Sequence, residues 1–334
     1  MRRRTLLLAL AGAAGAGSLT ACTAETDIGM SGATVASASA LPILASTTSS
    51  SLAAQDITAT YTPFPGAAPA RAYALGRRVL DFSRDGRALP TTVWYPTAGT
   101  APAAGPAPVA DATPLDGRYP LVLFSHGLTS QPADYADMLT RWAQAGFVVA
   151  APTYPYTSYA ADEAGRLNAD DIVNQPADAS HVIDLMLAQA GTVTSVIHPG
   201  RLAAAGHSAG GITTVGLFSA RRDERLKAGI VLNGTDFQGA EFTGPAAAML
   251  FVHGRKDTTV TYRAGHTVFV AVPWSRAMLS ITDGGHVTES ADFEATTQTS
   301  AEFLRYALYG DAAAKARLPA AAATDGVATF ENEL

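Results

Sequence analysis

Leu202-Ala203-Ala204-Ala205-Gly206-His207-Ser208-Ala209-Gly210-Gly211 opens as a short apolar run, breaks into Gly-x-Ser-x-Gly, and continues into a helix-forming stretch. The run predicts a buried strand over 202–206, and the helix-forming stretch predicts a helix over 209–220. A strand that turns this sharply into a helix holds its central residue in a strained conformation, which only small flanking residues permit. The Ser208 hydroxyl is thereby lifted clear of the sheet. The bare motif is a weak signal; its place between a buried strand and a helix is the specific part.

Outward from this turn, short apolar runs alternate with longer amphipathic ones, the pattern of βα units that build a parallel sheet. Strands are predicted over 121–125, 147–151, 202–206, 228–232, 248–252 and 277–281. Helices are predicted over 133–145, 177–190, 209–220, 262–269 and 293–309. Upstream, 74–82 and 89–95 flank Arg84-Asp85-Gly86 and read as an antiparallel hairpin. The expectation is an α/β fold: a mostly parallel, eight-stranded, doubly wound sheet with helices on both faces. Only residues 234–246 separate the strand ending at Leu232 from the next, which leaves no room for a large cap domain, so the site should be open.

A serine hydroxyl is a poor nucleophile near neutral pH and needs a base oriented by an acid. His286, in Asp283-Gly284-Gly285-His286, follows the last predicted strand of the parallel run. Asp257, in Val252-His253-Gly254-Arg255-Lys256-Asp257, follows the preceding one. Each stands at a strand's carboxyl end, where the turn at Ser208 also points. Asp236 is the second candidate for the acid, whereas Asp283 reads as a turn residue. His126 and His253 read as structural imidazoles, His207 as packing beside the strand, and His181, His198 and His266 as surface or packing residues. An acyl-transfer transition state also needs two donors aimed at its oxyanion. The backbone N–H of Ala209 is one candidate, and that of Leu128, in Ser125-His126-Gly127-Leu128, is the other. Phe237, Phe242 and Tyr154, with Tyr156 and Tyr159, are candidates for an apolar substrate wall. No dense His and carboxylate spacing appears, so neither a metal nor another cofactor is expected.

These pieces resemble secreted bacterial serine α/β-hydrolases of the platelet-activating-factor acetylhydrolase, dienelactone-hydrolase-like and cutinase-type polyester hydrolase groups. The matching segments are Thr92-Val93-Trp94-Tyr95-Pro96, Phe124 to Leu128, Gly206 to Gly211, Gly254 to Asp257 and Gly284 to His286. The resemblance implies the α/β-hydrolase fold and carboxylic-ester hydrolysis by Ser208, His286 and Asp257, with oxyanion donors at Leu128 and Ala209. It departs from dienelactone hydrolases proper, which use a cysteine nucleophile, and from cutinase-type enzymes, which carry a disulfide and a methionine after the serine. A serine acyltransferase or peptidase with the same three residues, and a non-catalytic envelope binding protein, are the alternative readings.

The rest of the chain bears on location and partners. The 23 basic residues against 29 acidic ones, with Arg2, Arg3 and Arg4 at the start, leave an acidic body that argues against nucleic-acid binding. Residues 1–22 read as a signal segment: three arginines, an apolar run from Leu6 to Leu19, and Leu19-Thr20-Ala21-Cys22, which resembles a lipobox. Cys22 is the single cysteine, which excludes an intramolecular disulfide framework. Arg3-Arg4-Thr5-Leu6-Leu7 also resembles a twin-arginine signal, so two export routes fit. Residues 23–60 are rich in Ala, Ser and Thr and read as a flexible tether, with the catalytic body over 61–334. The expectation is an exported, monomeric enzyme held at the cell envelope by lipid on Cys22, with plain secretion and an incidental Cys22 as the alternative, and with a small-molecule or polymeric ester as its partner.

Overall fold

The structure is a computed structural model that describes residues 56–102, 107–188, 191, 193–287 and 290–334. The signal segment, Cys22 and all but the end of the tether lie outside the described residues.

The chain enters along the bottom of the sheet, where Thr58 N–H donates to Pro273 O at 2.9 Å and Tyr61 N–H to Ser275 Oγ at 3.0 Å. Strands β1 (Tyr73–Arg84) and β2 (Arg87–Thr100) form the expected hairpin. Its Asp85-Gly86 turn has positive φ at both residues, the geometry that matches the twist of paired strands. A two-residue strand, β3 (Val109–Ala110), pairs with β1. Then come β4 (Tyr119–Ser125), α1 (Ala136–Gln144), β5 (Val148–Pro152), α2 (Tyr159–Glu163), α3 (Gln175–Ala188), β6 (Ile197–His207) and α4 (Ala209–Phe218). The remainder is β7 (Leu226–Leu232), β8 (Ala248–Gly254), α5 (Tyr262–Ala271), β9 (Arg276–Ile281), α6 (Ser290–Leu304), α7 (Ala312–Ala322) and β10 (Ala328–Glu333).

The strand order is β10-β9-β8-β7-β6-β4-β5-β2-β1-β3. The run β5-β4-β6-β7-β8-β9 is parallel, and antiparallel strands close it at both ends. Ten strands stand where eight were expected. The two extra ones, β3 and β10, are an exposed pair of residues and a polar edge strand, neither of which carries an apolar run. What holds β10 is its ladder to β9, from Ala328 opposite Ile281 to Glu333 opposite Arg276.

Successive residues of the central strands feed two cores, as the period of two requires. Val122, Phe124, Ala203, Ala205 and Ile230 face α1 and α6, while Leu121, Leu123, Leu202, Ala204 and Val231 face α3, α4 and α5. Burying both faces explains the near-continuous apolar runs. No helix occupies the connection between β7 and β8. The longest excursion from the carboxyl edge is 153–174, carrying α2 and a 3₁₀ turn.

Candidate active site

The chain passes from β6 to α4 through the single residue Ser208, whose φ of 55° and ψ of −117° lie in a region a side chain rarely adopts. Packing over-determines it. Ser208 N–H donates to Leu232 O at 2.9 Å. A Cβ on Gly206 would run into the Gly210 carbonyl, and one on Gly210 into the Ser125 carbonyl. The glycine spacing is therefore a steric requirement of placing α4 this close to β4 and β6.

Ser208 Oγ lies 2.8 Å from His286 Nε2, and His286 Nδ1 lies 2.8 Å from Asp257 Oδ2. His286 is on the connection after β9 and Asp257 on the one after β8, so connections from three strands meet at one point on the carboxyl edge. Asp257 is 5% exposed yet fully partnered. Its Oδ1 accepts from Thr259 N–H at 2.8 Å and Val260 N–H at 2.9 Å, and its Oδ2 also accepts from Asn233 Nδ2 at 2.9 Å. Burial pushes this carboxyl up, but bonds from His253, His286 and Asn233 outweigh it and hold the group well below the usual carboxylate range. A charged Asp257 can only accept, so the His286 proton sits on Nδ1. That leaves Nε2 with its lone pair toward the Ser208 hydroxyl.

Two backbone donors are the candidates for an oxyanion, one adjoining Ser208 in the chain and one following Gly127, where a Cβ would stand 3.4 Å from Ser208 Cβ. Ala209 N–H is the first of α4 and has no acceptor inside the helix. Leu128 follows the Gly127 turn after β4. Among the described residues, neither N–H donates to another protein group. The Leu128 loop is itself pinned, Thr129 N–H donating to Thr157 O at 2.7 Å and Tyr159 N–H to Ser130 O at 2.9 Å.

The sheet order and carboxyl-edge geometry coincide with a match of residues 88–236 to the family model for chlorophyllase. The fold is that of an α/β-hydrolase. Less than half of the chain is matched, a stretch that takes in Leu128, Ser208 and Ala209 and stops before Asp257 and His286. No curated protein matches the chain significantly. Family match and α/β-hydrolase fold together point to an ester hydrolase of that type.

Other candidates fall elsewhere. Tyr154 is a correction: it is wholly buried, its hydroxyl 2.8 Å from Ser125 Oγ, so it braces β4 and cannot form a substrate wall. Phe242 packs edge-on against Trp274 with centroids 5.9 Å apart, which makes it chiefly a loop anchor. Phe237, Tyr156 and Tyr159 are exposed. Asp236 accepts from Gln238 N–H at 2.9 Å within its own turn, and Asp283 pairs with Lys256 at 2.6 Å. Asn233 is a further residue of the site that its sequence marks only as a turn, Asn-Gly directly after a strand; it has a positive φ of 46°, and its side-chain Nδ2 bridges Asp257 Oδ2 and Gly285 O. His253 gives Nε2–H to Val260 O at 2.8 Å, with Asp257 Oδ2 a second acceptor at 3.4 Å. A cavity of about 300 Å³ beside the site is walled by Tyr135, Met138, His207, Leu232, Val287 and Phe293.

Two buried imidazoles make the fold sensitive to acid. Burial pushes His126 and His207 down from 6.5 to about 4. Between those values the unfolded chain takes up protons that the folded chain refuses, so stability falls as pH drops from about 6.5 to 4, by about 3 kcal/mol for each ring. The urea midpoint should therefore be much lower at pH 4.5 than at pH 7.5. Equal midpoints would show that neither ring is held neutral by the fold.

Proposed function

We propose that the chain is a serine carboxylic-ester hydrolase that works through an acyl-enzyme, on short to medium acyl or aryl esters, including lipid or polyester chains. The hydrogen-bonded series Asp257, His286, Ser208 at a strained strand-to-helix turn carries the reading. As Ser208 Oγ attacks the ester carbonyl, His286 Nε2 takes its proton, and the resulting imidazolium faces the buried carboxylate of Asp257. The N–H groups of Leu128 and Ala209 hold the oxyanion. His286 then returns the proton to the leaving alcohol, and water repeats the sequence on the acyl-Ser208 ester. The uncapped carboxyl edge, with Leu128, Tyr156, Phe237 and Val287 exposed around it, supports access by an extended apolar ester.

A series of nitrophenyl esters of increasing acyl length, run beside peptide amides, tests this reading. Esters should turn over, with a fluorophosphonate probe labelling Ser208 alone, and amides should lag far behind. Preferential amide cleavage would make the chain a peptidase, and label on another residue would overturn the nucleophile. For location, the proposal is export with lipid on Cys22 and residues 23–60 as tether. Cys22→Ser should leave the membrane fraction, and its retention there would refute the anchor.

A further inference from the structure

We propose that Tyr135 and His207 are positioning residues for this reaction, forming one hydrogen-bonded chain that fixes the loop carrying the Leu128 N–H against the loop carrying His286. The inference rests on the functional reading above and assigns work to two side chains that the triad leaves unused.

The chain runs across the carboxyl edge. Gly127 N–H lies 3.1 Å from Tyr135 Oη, Tyr135 Oη 2.9 Å from His207 Nδ1, and His207 Nε2 2.7 Å from the backbone oxygen of His286. Its members come from four places: the turn after β4, the residue before α1, the last residue of β6, and the connection after β9. In the sheet, β4 and β9 are separated by β6, β7 and β8, so no ladder joins the two loops directly. His207 stands between them, one residue before the nucleophile.

Every proton in the chain has a forced place. A carbonyl oxygen only accepts, so His207 Nε2 carries the hydrogen. Burial keeps the ring neutral, with its pKa pushed down to about 4, so Nδ1 is bare and accepts from the Tyr135 hydroxyl. Burial raises the Tyr135 pKa, which keeps that hydroxyl protonated, and its oxygen accepts the Gly127 N–H. Gly127 and His207 are buried and Tyr135 is half-buried, so bonds left unmade at His207 and Gly127 would be costly. The packing is close as well. A Cβ on Gly127 would stand 3.1 Å from Tyr135 Oη, 3.2 Å from His207 Nδ1 and 3.4 Å from Ser208 Cβ. The His207 and His286 rings lie with centroids 5.0 Å apart. A shift of either loop therefore changes both the donor's distance to the oxyanion and the angle at which His286 meets Ser208.

Tyr135→Phe removes one hydroxyl and keeps the ring. It should lower kcat on a short nitrophenyl ester by about tenfold with KM within about threefold, because the ties act on the transition state more than on binding. Rates are taken per fluorophosphonate-titrated Ser208, so a loss of folded protein does not register. His207→Phe keeps a flat ring but has neither an acceptor for Tyr135 nor a donor for the His286 carbonyl. The double variant should be no slower than the slower single one, since a chain is broken only once. Ring ¹⁵N spectra of the wild-type chain should show His207 protonated at Nε2 and bare at Nδ1. Multiplicative single losses, an unchanged rate per titrated site, or a proton on Nδ1 would each overturn the proposal. A wild-type chain that turns over no ester overturns the functional reading and the kinetic role with it; an active wild type indifferent to Tyr135→Phe overturns the chain alone.

Discussion

Ser208→Ala is expected to lower kcat on a soluble nitrophenyl ester by roughly 10⁴- to 10⁶-fold, the range in which removing a nucleophile leaves only binding and oxyanion stabilisation. The variant should fold as the wild type does. Alanine keeps the Cβ, so the strained backbone at φ 55° is no more strained than before, and the only side-chain bond lost is the one to His286 Nε2. KM should move little and fluorophosphonate labelling should vanish. Turnover within a hundredfold of wild type, in protein freed of contaminating esterase, would remove Ser208 from the chemistry.

Asp257→Asn is expected to cost about 10⁴ in kcat, through the tautomer of its neighbour. Thr259 and Val260 both present N–H groups to Oδ1, so the new amide must turn its oxygen toward them. Its NH₂ then faces His286 Nδ1 and Asn233 Nδ2, where two donors already point. His286 escapes the conflict by moving its proton to Nε2, which leaves no lone pair for the Ser208 hydroxyl. A rate within tenfold of wild type would mean that another group orients His286.

How much of the molecule is legible in the sequence depends on how local each cause is. The turn at Ser208 is legible because its glycine spacing is written within six residues, although one wall that demands it, the Ser125 carbonyl, stands in β4. The carboxyl-edge positions of Asp257 and His286 are legible because strands buried on both faces announce themselves as apolar runs. β10 is not, since Ala-Thr-Phe-Glu-Asn-Glu becomes a strand only against β9. α7 escapes for a related reason: an Ala-rich stretch containing Pro319 carries little amphipathic pattern, and its buried Leu318 and Ala322 count only once α6 is in place. Tyr154 misleads because an aromatic after a strand looks the same in sequence whether it turns inward or outward. Tyr135 and His207 lie 72 positions apart, and nothing in either neighbourhood announces that they meet.

The strap that enters beneath the sheet, hydrogen-bonded at Pro273 and Ser275, has a practical corollary. Those residues precede β9, whereas Gly285 and His286 follow it, so the strap and Ser208 occupy opposite ends of the sheet. A surface coupled at residue 56 would pull on the base of the molecule. Immobilisation through that end leaves the working edge turned toward bulk solution, where a bead, a film or a particle of ester can be presented without passing the point of attachment.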